Sequence, residues 1–421
     1  MEKTETIKCS EVLPALNSAF AVIGNFNLGI PYIRMEFDVQ LGQILRRESR
    51  VKDIERNYCS TFLHEYVHFL QSVLFKSCQF QALVWQNLIY DIHTTALLKK
   101  SKGKKTLLPL IFSEYLVALM KQKNKVYNHT EDVCLEDGEC RKFGLVDVVE
   151  GIARILEERY LCEQISKTQP PYTTIRDVNL QIFGEQDKLS DSELLDVAEV
   201  ALSREYPDMV FLRLCTEIKK AKIHRNRFFQ DVEALAQLKG YKRESSLATR
   251  IAKNAAGLFT SNIFRGYSQN MQCLYGEIPN CILGRPVFSS LYEQLGHDRD
   301  AGMPSSILKL IHAWRDCTPL IVNKRGELEQ FSRLPNSYYE QHALVIESVI
   351  RCVMDHHVGV QYGGCSMMMS CQNSNGQGSH LPVNGFCKSD PWNKKLIKKN
   401  FCCPFGAVRR AFGLEDLLLN E

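Results

Sequence analysis

The stretch TFLHEYVHFLQS, residues 61–72, places two histidines and a glutamate within an otherwise apolar run. Its apolar residues follow the i, i+3, i+4 and i+7 spacing of an amphipathic helix, which predicts helical structure from about residue 54 to 100. Residues four apart on a helix lie on the same face, so His64 and His68 can present both imidazoles to one ion. The other polar residues lie in the same stripe: Thr61, Glu65 and Gln71. We therefore expect this face to form a metal site beside a cleft.

The chemistry of this site follows from its three residue types. Two histidines at this spacing suit a zinc ion, and Glu65 is placed to act as a general base on a zinc-bound water molecule. The alternative is a helix that carries two histidines by coincidence. Eleven histidines in 421 residues would produce the pattern by chance in roughly a few per cent of such chains. The helical setting and the polar stripe favour the metal site.

Two histidines and a water molecule leave a tetrahedral zinc ion one protein ligand short. Glu150 lies in LVDVVEGIARILEERY, residues 145–160, where apolar neighbours make an isolated carboxylate costly unless it is paired or binds a metal. The small residues Gly151 and Ala153 would let this second helix approach the first. Alternatively, Glu150 lies on a solvated face together with Glu157. Three further residues are candidate third ligands: Asp91, His93 and Glu114.

The HExxH motif followed by a helix with E-G-x-A resembles the gluzincin branch of the zincin metallopeptidases. The resemblance covers residues 61–72 and 144–160, and the tryptophan that many members have before E-G-x-A is absent here. It implies that His64, His68 and Glu150 bind one catalytic zinc ion, with Glu65 as base and proton shuttle. The segment between the motifs is longer than in compact members, which implies an insertion at about residues 79–127. The implied activity is hydrolysis of peptide bonds in a protein or peptide substrate.

Two other functions are compatible with the same motif. Zinc-activated water also hydrolyses amides other than peptide bonds, so an amidohydrolase is one alternative. The other is a non-catalytic metal-binding interaction protein. The presence of Glu65 argues against this last reading, because a vestigial site would be expected to lose its base.

Hydrolysis of this kind also requires a donor for the developing oxyanion. Tyr338, Tyr339 and His342 are candidates for this role or for a substrate contact, and Tyr338 and His342 share one face of a predicted helix. Packing or surface positions are the alternative for all three. Asp147 is a candidate for orienting a ligand histidine, although a carboxylate at a helix start has another explanation in the helix dipole.

The chain as a whole is predicted to have an α+β fold that is predominantly α. Strand-prone segments at residues 19–40 predict a small N-terminal sheet within a zincin-like catalytic domain of residues 1–170. A helical domain of residues 171–351 is expected to complete the cleft. Residues 352–421 form a cysteine- and glycine-rich segment with little periodicity.

The sequence contains sixteen cysteines, several of which lie in this last segment. A second, structural zinc ion would explain how such a glycine-rich segment folds. Its candidate ligands are Cys365, Cys371, Cys387 and Cys402. No C-x₂-C pair is present, so scattered thiols are the alternative, and disulfide bonds or redox chemistry stay open.

Charge and hydropathy restrict the expected partners and location. The net charge of +4 gives no indication of a nucleic-acid partner. Residues 217–253 carry ten Lys or Arg residues against four Asp or Glu, which we interpret as a solvated helical face. No apolar segment is long enough to span a membrane, and the start lacks the pattern of a signal peptide. We therefore expect a cytoplasmic protein with mostly reduced cysteines, with secretion without a signal peptide as the alternative.

Overall fold

The computed structural model shows a predominantly helical α+β fold with two small sheets. It describes residues 24–27, 32–39, 44, 52–79, 82–83, 86–91, 94, 130–134, 140–163, 165, 170–221, 223, 225–258, 267–269, 271–277, 286–297, 319–324, 328–329, 346, 348–350, 352, 365, 387 and 404–412. Among these residues, no helix is both long and apolar enough to cross a lipid bilayer.

The described helices account for most of the described residues. They are α1 (Lys52–Leu74), α2 (Leu145–Leu161), α3 (Thr174–Asp187), α4 (Asp191–Leu202), α5 (Pro207–Lys220), α6 (Phe228–Leu238), α7 (Ala248–Leu258), α8 (Phe288–His297) and α9 (Pro404–Ala411). A 3₁₀ turn spans Arg225–Arg227 and a π-helical turn spans Cys273–Glu277. Helix α1 contains the HExxH motif, so the predicted helical setting of the motif is confirmed.

The first sheet has four short strands in the order β1 (Gly24–Asn27), β2 (Tyr32–Met35), β5 (Leu320–Val322) and β6 (Leu328–Glu329). Strand β2 pairs antiparallel with β1 and parallel with β5, and β5 pairs antiparallel with β6. The predicted N-terminal sheet is therefore present. The sequence did not predict β5 and β6, because strands of two or three residues are too short to display alternation.

Helix α1 packs between this sheet and α2. One apolar face of α1 is buried in a core that continues into α2 and the helices that follow, with Phe62, Val67, Ile152 and Leu156 nearly inaccessible to solvent. Helix α2 also contacts α3, α4, α5 and α8. The packing therefore continues across residue 170, and α2 has a central position.

Gly151 permits a different close contact from the one expected. A Cβ atom at this position would lie 2.6 Å from Cγ1 of Ile175 in α3. The small size of Gly151 therefore serves the packing of α2 against α3, and the expected role of Gly151 and Ala153 in the approach of α2 to α1 stays a prediction.

The second sheet is a hairpin of β3 (Thr130–Cys134) and β4 (Cys140–Gly144) that leads directly into α2. Cys140 is disulfide-bonded. This single bond leaves the expectation of mostly reduced cysteines a prediction. Cysteines outside a disulfide bond include Cys78, Cys162 and Cys215.

Candidate metal centre

Three side chains from α1 and α2 converge on one point. The Nε2 atoms of His64 and His68 are 3.1 Å apart. Oε2 of Glu150 lies 3.2 Å from Nε2 of His64 and 3.3 Å from Nε2 of His68. The three atoms form a nearly equilateral triangle, and among the described residues this is the one group of three or more that could hold a metal ion.

This triangle is only slightly smaller than the one that the ligands of a zinc ion form. Nitrogen and oxygen ligands at the usual distances from a tetrahedral zinc ion lie about 3.3–3.5 Å from one another. Oε2 of Glu150 is also buried and accepts no hydrogen bond of good geometry from the described residues, although both imidazoles are close. A buried carboxylate is costly unless it is paired, and a metal ion could replace the histidine proton as the partner of Glu150. The residues present therefore fit zinc.

The ring nitrogen of His68 that is not part of the triangle, Nδ1, contacts a neutral side chain. Nδ1 of His68 lies 2.8 Å from Oε1 of Gln71, which can act only as acceptor, so the ring proton is on Nδ1 and Nε2 is left for a metal. The Nε2 group of Gln71 donates to the carbonyl oxygen of Val149 at 2.9 Å. Because Val149 directly precedes Glu150, one side chain orients His68 and ties α1 to α2 at the third candidate ligand.

The corresponding nitrogen of His64, Nδ1, lies near a charged side chain. Nδ1 of His64 lies 3.4 Å from Oε2 of Glu157, two turns beyond Glu150 on α2. Glu157 accepts a hydrogen bond from Oγ of Ser60 at 3.0 Å and pairs with Arg154 at 3.0 Å. The alternative that Glu150 and Glu157 share a solvated face is wrong, since both carboxylates point towards histidines of α1 and are 19% and 12% exposed.

The carboxylates dominate the electrostatics of the cluster. Burial alone would lower the pKa of His64, but Glu150 and Glu157 outweigh it and raise the pKa to about 10. Burial opposes ionisation of Glu150, yet the two histidines hold its pKa well below the usual range. Without a metal, the site is therefore a cationic imidazole held between two carboxylates, and zinc must displace a proton to bind.

Glu65 follows His64 on α1 and is buried beside the triangle. Burial lowers the pKa of His68 and raises that of Tyr172, and the charge of Glu65 exerts a smaller upward influence on both. This placement beside the candidate ligands, and outside their group, is what the role of a general base requires.

Tyr172 is a site residue that sequence reasoning missed. Its ring centroid lies 6.1 Å from that of His64, and the guanidinium carbon of Arg154 lies 5.9 Å from the same ring. Burial raises the pKa of its hydroxyl group, and the charges of Glu150, Glu65 and Glu157 raise it further. The residue precedes α3 in the segment PPYTT, where no periodicity indicates a site, so it could not be found from local spacing.

The other predicted site residues fall into two groups. Asp147 accepts a hydrogen bond from the backbone N–H of Gly144 at 2.8 Å, which is a contact of the helix start, and Asp91 is exposed and outside the triangle. Several candidates lie outside the described residues: His93, Glu114, Tyr338, Tyr339, His342, Cys371 and Cys402.

The predicted second zinc site is described only in part. The backbone N–H of Cys365 donates to the carbonyl oxygen of Cys387 at 2.7 Å, so two of its four candidate ligands come from neighbouring backbone segments. The described residues hold no second group of three potential ligands. The structural zinc stays a prediction.

No family model matches the chain, and no curated protein or solved structure is similar enough to count as a match.

Proposed function

We propose that this protein is a zinc-dependent metallopeptidase with a zincin-like catalytic centre. In this proposal His64, His68 and Glu150 bind one zinc ion, and Glu65 is the general base. The observation that carries the proposal is the triangle of ligand atoms, with sides of 3.1, 3.2 and 3.3 Å, beside a buried glutamate that is not part of it. The resemblance to gluzincins supports the same assignment.

The roles of the side chains follow from their positions. Zinc, when bound, lowers the pKa of a water molecule and polarises the scissile carbonyl group. Glu65 takes a proton from this water and delivers it to the leaving amine. The raised pKa of Tyr172 keeps its hydroxyl group protonated at neutral pH, so it can donate a hydrogen bond to the oxyanion as it forms. Tyr172 is therefore our preferred donor over Tyr338, Tyr339 and His342.

Two alternatives share the same metal centre. An amidohydrolase would use identical chemistry on a non-peptide amide. A non-catalytic metal-binding interaction protein would use zinc as a cross-link, and the low exposure of the histidines, 8% and 14%, suits this role as well. The three functions differ in what Glu65 does and in which substrate is cleaved.

The first test is zinc content per chain. We expect a zinc ion at the proposed site in the wild type, and one zinc ion fewer per chain in Glu150→Ala. The matched control is Glu185→Ala, which removes an exposed glutamate of α3 that pairs with Lys188. A wild type that takes up no zinc after reconstitution, or a folded Glu150→Ala protein that retains it, would overturn the ligand assignment.

The second test separates the three functions. A zinc-loaded wild type should cleave members of a peptide library, and Glu65→Gln should retain zinc while losing at least 100-fold in rate. If the protein cleaves simple aryl amides and no peptides, the amidohydrolase function would be supported and the peptidase function rejected. A zinc-loaded wild type that is no faster than Glu65→Gln on both substrate sets would leave the non-catalytic role.

A further inference from the structure

A chain of alternating charges begins at the metal centre and ends at the start of α4. Successive ion pairs join one cationic or anionic group to the next, and none of the six side chains is more than about a third exposed. In order, the groups are His64, Glu157, Arg154, Glu158, Arg176 and Asp191.

The middle of this chain is tightly held. Arg154 bridges two carboxylates of α2, pairing with Glu157 and Glu158 at 3.0 Å each. Arg176 of α3 pairs with Glu158 and bonds Asp191 of α4 through two nitrogens, at 3.0 and 2.9 Å. Because a buried charge without its counter-charge is costly, removing one member leaves its neighbour to seek another partner.

We propose that this chain positions His64, with Glu157 as the side chain that fixes the imidazole ring and Arg176 as a remote support. Nδ1 of His64 has no hydrogen-bond partner of good geometry among the described residues, and Oε2 of Glu157 is the acceptor that faces it. A ring held at Nδ1 directs Nε2 towards the other two candidate ligands. The inference rests on the proposed metal centre and assigns part of its zinc affinity to α3.

The two histidines are therefore supported differently. His68 has a neutral acceptor in Gln71, whereas His64 has a carboxylate whose orientation depends on Arg154. If Arg176 is removed, Glu158 loses a partner and competes more strongly with Glu157 for Arg154. Glu157 is then less firmly held, so the loss is transmitted to His64 over three ion pairs.

The test measures zinc affinity by competition with a chromogenic chelator. Loss of an outer-shell partner lowers metal affinity about 10–100-fold, which we expect for Glu157→Gln. Arg176→Gln should lower the affinity several-fold. The matched control is Arg141→Gln. Arg141 also pairs with α3, at Asp177, but it is not part of the series of ion pairs that leads to His64. We expect this control to bind zinc within twofold of the wild type.

A wild-type affinity in Glu157→Gln, or equal affinities in Arg176→Gln and Arg141→Gln, would overturn the inference. A metal-free readout separates this failure from failure of the zinc site itself. In protein labelled with ¹⁵N-histidine, the Nδ1 proton of His64 should be protected from solvent exchange in the wild type and Arg141→Gln, and exposed in Glu157→Ala. Equal protection in Glu157→Ala would refute the positioning role even in a chain that binds no zinc.

Discussion

The ring of Tyr172 lies 6.1 Å from that of His64, centroid to centroid, and the charge of Glu65 acts on its hydroxyl group. We expect Tyr172→Phe to lower kcat about 100-fold, because removing one oxyanion donor typically has an effect of this size. Zinc content and KM should change little, since the hydroxyl group is needed only as charge develops on the substrate. Steady-state kinetics on the cleaved library peptide, together with zinc analysis, measures all three quantities.

The control for this prediction is Tyr90→Phe, since Tyr90 is an exposed tyrosine of the described chain. It should leave kcat unchanged. An equal effect of the two substitutions, or loss of zinc in Tyr172→Phe, would assign the tyrosine a structural role instead of a catalytic one.

Residue identity and local spacing predicted the candidate ligands but not their supports. His64 and His68 were found from a four-residue spacing, and Glu150 from the cost of a carboxylate among apolar neighbours. Gln71 and Glu157 could not be assigned in the same way, because their roles depend on the register between α1 and α2. Either residue could equally occupy a solvated position on an isolated helix.

At the scale of elements, the contact between α2 and α3 depends on Gly151. A Cβ atom would lie 2.6 and 2.7 Å from Cγ1 and Cδ1 of Ile175, which is fully buried and has little room to move. Overpacking of this kind costs about 1–3 kcal/mol, against a gain of about 1 kcal/mol from alanine in a helix. We expect Gly151→Ala to lower the free energy of unfolding by up to about 2 kcal/mol in urea titrations.

Gly257→Ala is the matched control, because Gly257 lies in α7 with nothing within 4 Å of its would-be Cβ atom. It should raise the free energy of unfolding by about 0.5–1 kcal/mol. In addition, Gly151→Ala should be less harmful when Ile175 is already alanine. Additive effects of the two substitutions would show that the clash is not the cause.

The junction of α4 and α8 is predicted to depend on pH. Glu199 of α4 accepts the backbone N–H groups of Val287 and Phe288 at 2.8 and 3.0 Å, which places its carboxyl group at the start of α8. Burial raises the pKa of Glu199 to about 8, although these two hydrogen bonds oppose the shift. Asp196 raises it further and Arg243 lowers it.

A pKa that is higher in the folded than in the unfolded state gives stability below the unfolded value, and this stability is lost as pH rises through the folded value. For Glu199 the loss extends from about pH 4.5 to 8. Glu199→Gln keeps the accepting oxygen without the charge. We therefore expect the wild type to lose stability relative to this variant between pH 5 and 9, as measured by urea unfolding. A constant difference across this range would contradict the prediction.

At the scale of the whole molecule, the sequence predicted the fold class better than the pairing of strands that are far apart in the chain. The helical periodicity of α1 and α2 was visible because each buries a continuous apolar face in one core. The pairing of β2 with β5 was not visible in the sequence, because it joins segments far apart in the chain and involves only three residue pairs. Such long-range contacts leave no local pattern, and they brought residues on both sides of position 170 into one sheet.

The position of the metal centre between α1 and α2 leads to a prediction about global stability. A ligand that binds only the folded state stabilises it by about 2.7 kcal/mol at a free concentration 100 times its dissociation constant. Zinc at this site would hold together two helices at the centre of the core, so we expect Tm to rise by several degrees on adding zinc to chelator-treated protein. Glu150→Gln should abolish the rise, whereas Glu185→Gln should retain it.

The size of the rise should also depend on pH. Without zinc, protonated His64 already lies between Glu150 and Glu157, and zinc must offset the loss of the histidine proton. The rise should therefore be smaller at pH 6 than at pH 8, since zinc competes with a more abundant proton. A zinc-dependent rise of equal size in Glu150→Gln would place the ion elsewhere in the chain, and no rise in the wild type would leave the cluster as a buried ion-pair network.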